Sequence, residues 1–386
     1  MSDRVTIAGL DLPLLRPATV AELCEQVRGA SAVYPVGGAT SLDDAGVPTK
    51  PGVAIGTSQL QQVIDYPARD LTITVQSGIT FAKIAEVLAD EGQYLPIDVP
   101  HPQRATIGGA MATNWSGGRR LMHGTLRDAV IGLTCVNDDG QEVKGGGRVV
   151  KNVAGYDLMK LMIGSMGTLG IITQVTLKVK PKPEAAGSVR FDLGNAAVGP
   201  TLDRLHESKA RPAMIELSSI AGGWRIECGF EEKAETLAWQ QRTLMDELRG
   251  APVQDLQVFD GLPTLAPTFD DGVLVKVNVQ PSGVAGVALA ARAAHPAAQI
   301  VAHAGSGIVY VHLPDDVTKG QTATVLGELT KLVSAANCNV TVVRCPTAWK
   351  NTLPIFGRDS GDRFVMRKIK KALDPRAVFN PERFLV

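Results

Sequence analysis

The chain has 386 residues, 45% of them apolar, with Lys plus Arg and Asp plus Glu at 39 each and a formal net charge of zero. That length allows two or three domains with buried cores, and the composition is that of a globular protein rather than a linker or tail. The balanced charge gives no electrostatic reason for a nucleic-acid or membrane-surface partner, which leaves a small molecule or another protein. The opening MSDRVTIAGLDLPLLRP has no apolar h-region, and no apolar run reaches the length of a membrane span. The expectation is a cytoplasmic protein with no transmembrane segment. Five cysteines, at 24, 135, 228, 338 and 345, form no CxxC pair, so they are expected as free thiols rather than as zinc or iron–sulfur ligands.

In chain order, T-x-x-E at Thr19 and Glu22, followed by Leu23, Cys24 and Val27 at helical spacing, predicts a helix opening at Thr19. Strands are predicted at 32–36, 53–55 and 71–76, and a helix at 81–90 between Thr80 and Gly92. AVIGLTCVN and QEVKGG flank Asp138, Asp139 and Gly140 as a tight hairpin. A helix at 156–163 and a strand at 170–179 close this first region. KPKPEAAG, residues 180–187, interrupts every periodicity and reads as a boundary. Beyond it, β-type runs at 214–218, 224–230, 273–279, 308–312 and 339–344 alternate with amphipathic helices at 234–248 and 322–335. That interleaving predicts an α+β domain with an antiparallel sheet. A last helix at 363–373 precedes DPRAVFNPERFLV.

Residues 33–44, VYPVGGATSLDD, suit a phosphate cradle: Gly37 and Gly38 can turn N–H groups inward, and Thr40 and Ser41 add hydroxyls. An ordinary turn is the other reading. The continuation LDDAGVPTKPG places Gly46, Pro48, Pro51 and Gly52 where a dinucleotide-binding βαβ unit would start its helix, which disfavours a nicotinamide-type Rossmann fold. Any phosphate must then be held by the loop itself. Three more stretches, 106–114, 116–125 and 164–170, are also rich in glycine with hydroxyl or amide residues. Together the four point to one extended ligand with a pyrophosphate, a ribityl chain and rings, a description that FAD fits. KGGGR at 144–148 lacks a GK[ST] ending and is read as a flexible tip.

PVGGATSL, TIGGAMATNWSGGRRLMHGTLRDAVIG and KNVAGYDLMKLMIGSMGTLGIITQVTLKVKP, in that order over 32–181, resemble the flavin domain of the vanillyl-alcohol oxidase / p-cresol methylhydroxylase (PCMH) family. The tail MRKIKKALDPRAVFNP is similar to the C-terminal segment of that family's 2-hydroxy-acid branch. The resemblance implies an α+β chain: a two-subdomain PCMH-type FAD-binding domain at 1–183, a smaller α+β cap with an antiparallel sheet at 184–345, and a segment at 346–386 returning to the first domain. It also implies cofactor contacts. Pro35, Gly37, Gly38, Ala39, Thr40 and Ser41 would surround the pyrophosphate, and Thr106, Gly108, Gly109, Thr113 and Asn114 the central cofactor. Gly124, Thr125, Arg127 and Asp128 would close the next turn, and Ile171 and Ile172 would offer main chain near the adenine. Other readings stay open: close packing for Gly108 and Gly109, an ion pair for Arg127 and Asp128, and a core position for Ile172. Many relatives tether flavin through a histidine in the first loop or a cysteine in the second segment; VGGATSL has neither, which implies noncovalent FAD. His101 and His123 are read as capping or packing residues.

HAGSGIVYVH, residues 303–312, departs from the branch's HxGDGNxH motif, whose histidines are associated with a divalent metal and the substrate carboxylate. Ser306 and Ile308 replace its Asp and Asn, and the second histidine falls two positions later. On a single strand that spacing puts His303 and His312 on opposite faces, so no metal site is expected. The catalytic base is not identified; Arg344 and Lys350 could hold a carboxylate, with surface cations as the default reading. Resemblance to the glycolate oxidase branch implies an FAD-binding subunit acting with a larger catalytic flavoprotein subunit and an iron–sulfur subunit. Glycolate would be oxidised to glyoxylate, with electrons passed through the flavin to an external acceptor. The alternatives are a self-sufficient FAD-linked dehydrogenase of a small 2-hydroxy acid such as D-lactate, and a non-catalytic scaffold.

Overall fold

The computed structural model describes residues 3–147, 157–263, 269–333, 338–358 and 361–384. Met1–Ser116, Gly124–Lys182 and Asp359–Val386 make one unit, and Gly117–His123 with Pro183–Arg358 the other. The boundaries expected from the sequence lie after 183 and 345; the two units change over after 182 and after 358, and most of the third glycine-rich stretch, 117–123, belongs to the second unit.

In the first unit β1 (Arg4–Ile7) and β2 (Leu10–Leu15) pair antiparallel, and α1 (Val20–Gly29) leads to β3 (Val33–Val36). The strand β4 (Val53–Gly56) runs parallel to both β2 and β3, giving the order β1-β2-β4-β3 with β3 at an edge. The helix α1 starts where T-x-x-E places it: Thr19 Oγ1 accepts the Glu22 N–H at 3.2 Å. The Glu22 carboxylate takes the Ala18 N–H at 2.8 Å, one residue before its partner in a standard capping box. Leu23, Cys24 and Val27 then bury against Val33, Ile55 and Leu60.

A second sheet follows from β5 (Val63–Asp65), β6 (Thr72–Gln76), β8 (Val130–Val136), β9 (Glu142–Gly146) and β10 (Ile171–Lys178), all antiparallel in the order β5-β6-β10-β8-β9. Between them lie α2 (Phe81–Ala89), α3 (Ile107–Thr113), α4 (Arg120–His123), α5 (Leu126–Ala129) and α6 (Met159–Met162). The short β7 (Gln93–Tyr94) pairs with β11 (Lys180–Pro181). Lys144, Gly145 and Gly146 are ladder residues opposite Thr134, Leu133 and Gly132, so the expected flexible tip is largely a strand; Arg148 lies outside the described residues. The helix expected at 156–163 is a single turn at Met159–Met162, and Tyr156 lies outside the described residues.

The second unit contains β12 (Ala185–Leu193), α7 (Val198–His206), β13 (Met214–Ile220), β14 (Gly223–Glu232), α8 (Ala234–Glu247), β15 (Val253–Asp260), β16 (Val273–Asn278), α9 (Val284–Ala294), β17 (Gln299–His303), β18 (Ile308–Leu313), α10 (Lys319–Leu332) and β19 (Asn339–Arg344). Its eight strands form an antiparallel sheet in the order β15-β12-β14-β13-β17-β18-β16-β19. The period-two alternation divides the faces. Val189, Phe191, Ile215, Leu217, Ile226, Val275 and Val309 join one core with Leu202, Leu244, Val287 and Leu329 of the four helices. The opposite face carries a cross-strand row running Arg190, Glu227, Glu216, His303, Ile308 and Asn278. The last helix, α11 (Asp362–Leu373), belongs to the first unit. Among the described residues no helix is long and apolar enough to cross a membrane.

Candidate functional site

Three of the four glycine-rich stretches meet in the first unit. A Cβ on Gly37 would lie 2.4 Å from Thr106 Oγ1, and one on Gly38 would lie 1.8 Å from the Arg104 carbonyl oxygen. Only glycine lets residues 37–38 lie against the segment that enters α3. That segment is fixed in turn by Thr106, whose Oγ1 caps α3 on the Gly109 N–H at 3.3 Å, and by Gly108, whose N–H donates to Ser77 O at 2.9 Å. A Cβ on Gly108 would meet Ser77 Cβ at 2.8 Å, so close packing accounts for this glycine; Gly109 is crowded only by the Thr106 hydroxyl, at 3.2 Å. At the other end of α3, Thr113 donates to Gly109 O at 3.0 Å and Asn114 closes the helix at φ +55°. The stretch 164–170 docks on that end: Gly164 N–H donates to Met111 O at 2.9 Å and Met166 N–H to Ala112 O at 2.8 Å. Gly167, at φ +66°, sits against the Pro35 ring, where an added Cβ would lie 3.4 Å from Pro35 Cγ.

The first loop has the chemistry of an anion cradle. The N–H groups of Gly37, Gly38, Ala39, Thr40 and Ser41 donate to no acceptor among the described residues. Ala39, though not glycine, takes φ +55°. A run of undirected N–H groups bent through a left-handed residue makes a concavity suited to phosphate oxygens. The backbone donors and the Thr40 and Ser41 hydroxyls therefore fit the diphosphate of a dinucleotide cofactor.

The contacts of residues 124–128 run elsewhere. Gly124 takes φ +78°, and Asp128 Oδ2 accepts both the N–H and the hydroxyl of Thr125 at 2.8 Å, capping α5. The Thr125 backbone N–H holds the Asp128 carboxyl below its ordinary value, against a smaller opposing effect of burial. Arg127 donates to Lys160 O at 2.9 Å rather than to Asp128, so the ion pair considered above is replaced by a cap and a carbonyl contact. Burial lowers the Lys160 ammonium, which donates to Arg127 O and Val130 O. Ile171 and Ile172 are buried in separate cores, with main chain in register opposite Val136 and Cys135. His101, at φ +51°, is a turn residue whose carbonyl accepts from Arg104 and Ala105 at 2.8 Å.

On the polar face of the second unit, His303 Nδ1 lies 2.8 and 3.0 Å from the two oxygens of Glu216, both residues fully buried. His303 Nε2 is buried with no partner among the described residues, and the ring meets Tyr310 edge-on at 5.6 Å. Gly118 packs on this carboxylate, since its Cβ would fall 1.9 Å from Glu216 Oε1. His123 Nε2 lies 2.7 Å from Glu231, which also receives Arg119 at 3.3 Å, so His123 is a packing residue of the second unit, as read. Half-buried Lys276, opposite Tyr310, is pushed down to about 8 by burial and then by the Arg120 charge.

The placement of His303 and His312 corrects the single-strand argument. They lie on two paired strands, opposite Ile308 and Gln299, and hence on the same face at opposite ends of a hairpin. His312 Nε2 is 3.2 Å from Asp271 and stacks on Phe269 at 4.3 Å, so the two histidines have separate surroundings. No group of three or more His, Cys, Asp or Glu arranged to hold a metal occurs among the described residues. Arg344 donates to Phe269 O and Lys350 is buried, so neither is the plain surface cation taken as the default.

Two residues that the sequence leaves unmarked lie in the C-terminal segment. Asn380 donates to Met166 O at 2.7 Å, and Arg383 Nε donates to Gly46 O at 3.1 Å. Ser77, also missed, supplies the carbonyl beneath Gly108. The only local signal for it is a Ser-Gly pair ending a strand.

Residues 13–146 match a family described as an FAD binding domain. Glycolate oxidase subunit GlcD of Bacillus subtilis is 35% identical over 185 residues, 48% of this chain and 39% of that protein. Glycolate oxidase subunit GlcE of Escherichia coli is 40% identical over 132 residues, 34% of this chain and 38% of that protein. The matched part therefore spans about two fifths of either subunit's length. D-2-hydroxyglutarate dehydrogenase of Xanthomonas citri pv. viticola is 25% identical over 422 residues, covering 96% of this chain and 88% of the dehydrogenase. A solved alkyldihydroxyacetonephosphate synthase superimposes with a TM-score of 0.69 at 16% identity, over 96% of this chain and 77% of that one, a likeness of fold alone.

Proposed function

We propose, from the premise that this chain belongs to the FAD-binding-domain family over residues 13–146 and takes FAD as its cofactor, that it is an FAD-linked oxidoreductase subunit acting on a small 2-hydroxy acid. Glycolate is the first substrate to test, and the partners are a larger flavoprotein subunit and an iron–sulfur subunit. The observation that carries the reading is the run of five undirected N–H groups at 37–41, packed on the segment that enters α3. Residues 37–41 would hold the diphosphate, with Thr106, Gly109, Thr113 and Asn114 on the adjoining segment. The attachment is noncovalent: the first loop has no histidine or cysteine, and His123 is engaged by Glu231.

The chemistry that FAD supplies when bound is acceptance of a hydride from the carbon bearing the substrate hydroxyl, with the electrons passed to an external acceptor. Within the second unit, His303, whose Nδ1 is oriented by Glu216 and whose Nε2 has no partner among the described residues, has the chemistry of a proton acceptor. Lys276, whose ammonium burial lowers to about 8, is a cation on the same face of that sheet.

A second reading, a self-sufficient 2-hydroxy-acid dehydrogenase, is favoured by the likeness to D-2-hydroxyglutarate dehydrogenase over 96% of the chain. Anaerobic addition of glycolate to the FAD-loaded chain, alone and with its partner subunits, separates the two. Bleaching only in the complex supports the subunit reading, bleaching of the chain alone supports the second, and no bleaching by any small 2-hydroxy acid in either preparation refutes both.

A further inference from the structure

The cofactor loops of the first unit are fastened by a segment far away in sequence. After α11 the chain runs Asp374 to Arg383 and pairs with the free edge of β3: Val33 N–H donates to Val378 O at 2.8 Å and Asn380 N–H to Val33 O at 2.9 Å. From there three buried side chains reach the loops. Arg383 donates through Nε to Gly46 O at 3.1 Å, through a terminal nitrogen to Leu42 O, and through the other to Asn380 Oδ1 at 3.3 Å. The Gly46 N–H returns a bond to Arg383 O at 2.7 Å. Asn380 donates to Met166 O at 2.7 Å, and Lys370 to Thr168 O at 2.6 Å and Phe379 O at 2.9 Å. Asp374 completes the anchor, receiving Lys370 and the N–H groups of Val378 and Phe379 at 2.9 Å.

Two features mark this segment as more than a packed tail. Ala377, Asn380 and Glu382 take φ values of +51°, +41° and +63°, conformations that side chains resist and that surrounding contacts must impose. Its buried Arg383 and the buried Lys370 of α11 also end on loop carbonyls. Burial lowers Arg383 to about 10, against the opposing charges of Asp43 and Asp44. Spreading one guanidinium over Leu42 O and Gly46 O fixes where those peptides point, and therefore the course of the loop as it leaves Ser41.

We propose that Lys370, Asn380 and Arg383 are positioning residues for FAD: without touching the cofactor, they set the geometry of the 37–46 and 164–170 loops from one C-terminal clamp. This rests on the reading that those loops hold FAD. A planar, many-donor cation suits the task because both carbonyls must be held at fixed angles, which a lysine at 383 would not reproduce.

The test is FAD titration, by flavin fluorescence, of the flavin-stripped full chain and of three variants: Arg383→Gln, Arg383→Lys and Asn380→Gly. The last removes the amide while keeping a residue at ease with positive φ. Thermal unfolding of each flavin-free protein is recorded alongside. The expected result is a rise in Kd of about tenfold or more for Arg383→Gln and Asn380→Gly, on the scale of a lost charge-assisted or buried hydrogen bond, with Arg383→Lys intermediate. The visible circular dichroism of flavin bound at saturation is expected to change with Kd. A merely structural role would lower the unfolding midpoint and leave the Kd and dichroism of the folded fraction at wild-type values; that result overturns the clamp while leaving the cofactor reading intact. Should Arg383→Gln not fold, Asn380→Gly and Arg383→Lys decide in the same terms. Failure of the wild-type chain to bind FAD overturns the cofactor reading and the clamp with it.

Discussion

Gly38→Ala probes the packing of the first loop on the second with the smallest possible change. The new methyl carbon would sit 1.8 Å from the Arg104 carbonyl oxygen, 2.7 Å from its carbon and 3.3 Å from Ala105 Cα. All three neighbours are backbone, so relief requires one main-chain segment to move. Overpacking of this kind costs about 1–3 kcal/mol. Because a domain of about 200 residues loses about 2–4 °C per kcal/mol, the flavin-free midpoint is expected to fall by about 2–12 °C. The displacement also re-aims the N–H groups of residues 37–41, so the Kd for FAD is expected to rise by about tenfold or more, the scale of one net hydrogen bond to a charged group. Gly29→Ala is the control: nothing lies within 4 Å of its Cβ position at the end of α1, and the helix is expected to gain about 0.5–1 kcal/mol with FAD affinity unchanged. FAD titration and thermal unfolding of the two variants decide the matter. Wild-type affinity and midpoint in Gly38→Ala would refute the loop-packing argument.

Other expectations follow from the remaining geometry. Asp128→Ala removes the cap of α5 and should cost about 0.5–2 kcal/mol in urea unfolding while leaving the Kd for FAD within about threefold; a large loss of FAD affinity would put Asp128 against the cofactor instead. Because the folded-state pKa of Asp128 is depressed, its stabilisation is present above the ordinary carboxylate value and is lost as pH falls through the lowered one. Lys276 has the opposite bearing: its folded pKa of about 8 lies below 10.5, so the folded form binds fewer protons between those values and stability rises with pH there. Lys276→Met should flatten that rise, and an unchanged pH profile would contradict it.

The elements legible in the sequence were those with one clear local cause. Thr19 and Glu22 announced α1, and Asp138 to Gly140 announced the β8–β9 turn. Strong β-branched runs gave β16 and β19, close to their observed bounds. The missed elements lacked such a cause. The strand β12 begins Ala-Ala-Gly inside what read as a linker, and its extended form is imposed by β14 and β15 on either side. The helix α9, rich in Ala and Val with little polar contrast, offers no stripe to detect, yet it buries Val284, Val287, Ala288 and Ala291.

The site divides in the same way. Glycines betray close approach, so residues 37–38 and 106–114 could be found, although the physical reason for Gly37, Gly38 and Gly108 proved to be loop against loop. Arg383 and Asn380 were invisible because their partners, Leu42, Gly46 and Met166, lie hundreds of residues away and accept through backbone carbonyls, which no residue type advertises. The same limit explains His303 and His312. Spacing along one chain could not reveal that a 3₁₀ turn at Ala304–Ser306 folds them onto two strands.

The central claim, noncovalent FAD held by the 37–41 cradle, is tested most directly by the visible spectrum of the purified, FAD-saturated chain before and after acid precipitation. A protein-bound flavin spectrum is expected beforehand and all of the flavin, as intact FAD, in the supernatant afterwards. Flavin that stays with the pellet, or a chain that takes up no FAD when it is supplied, would contradict it.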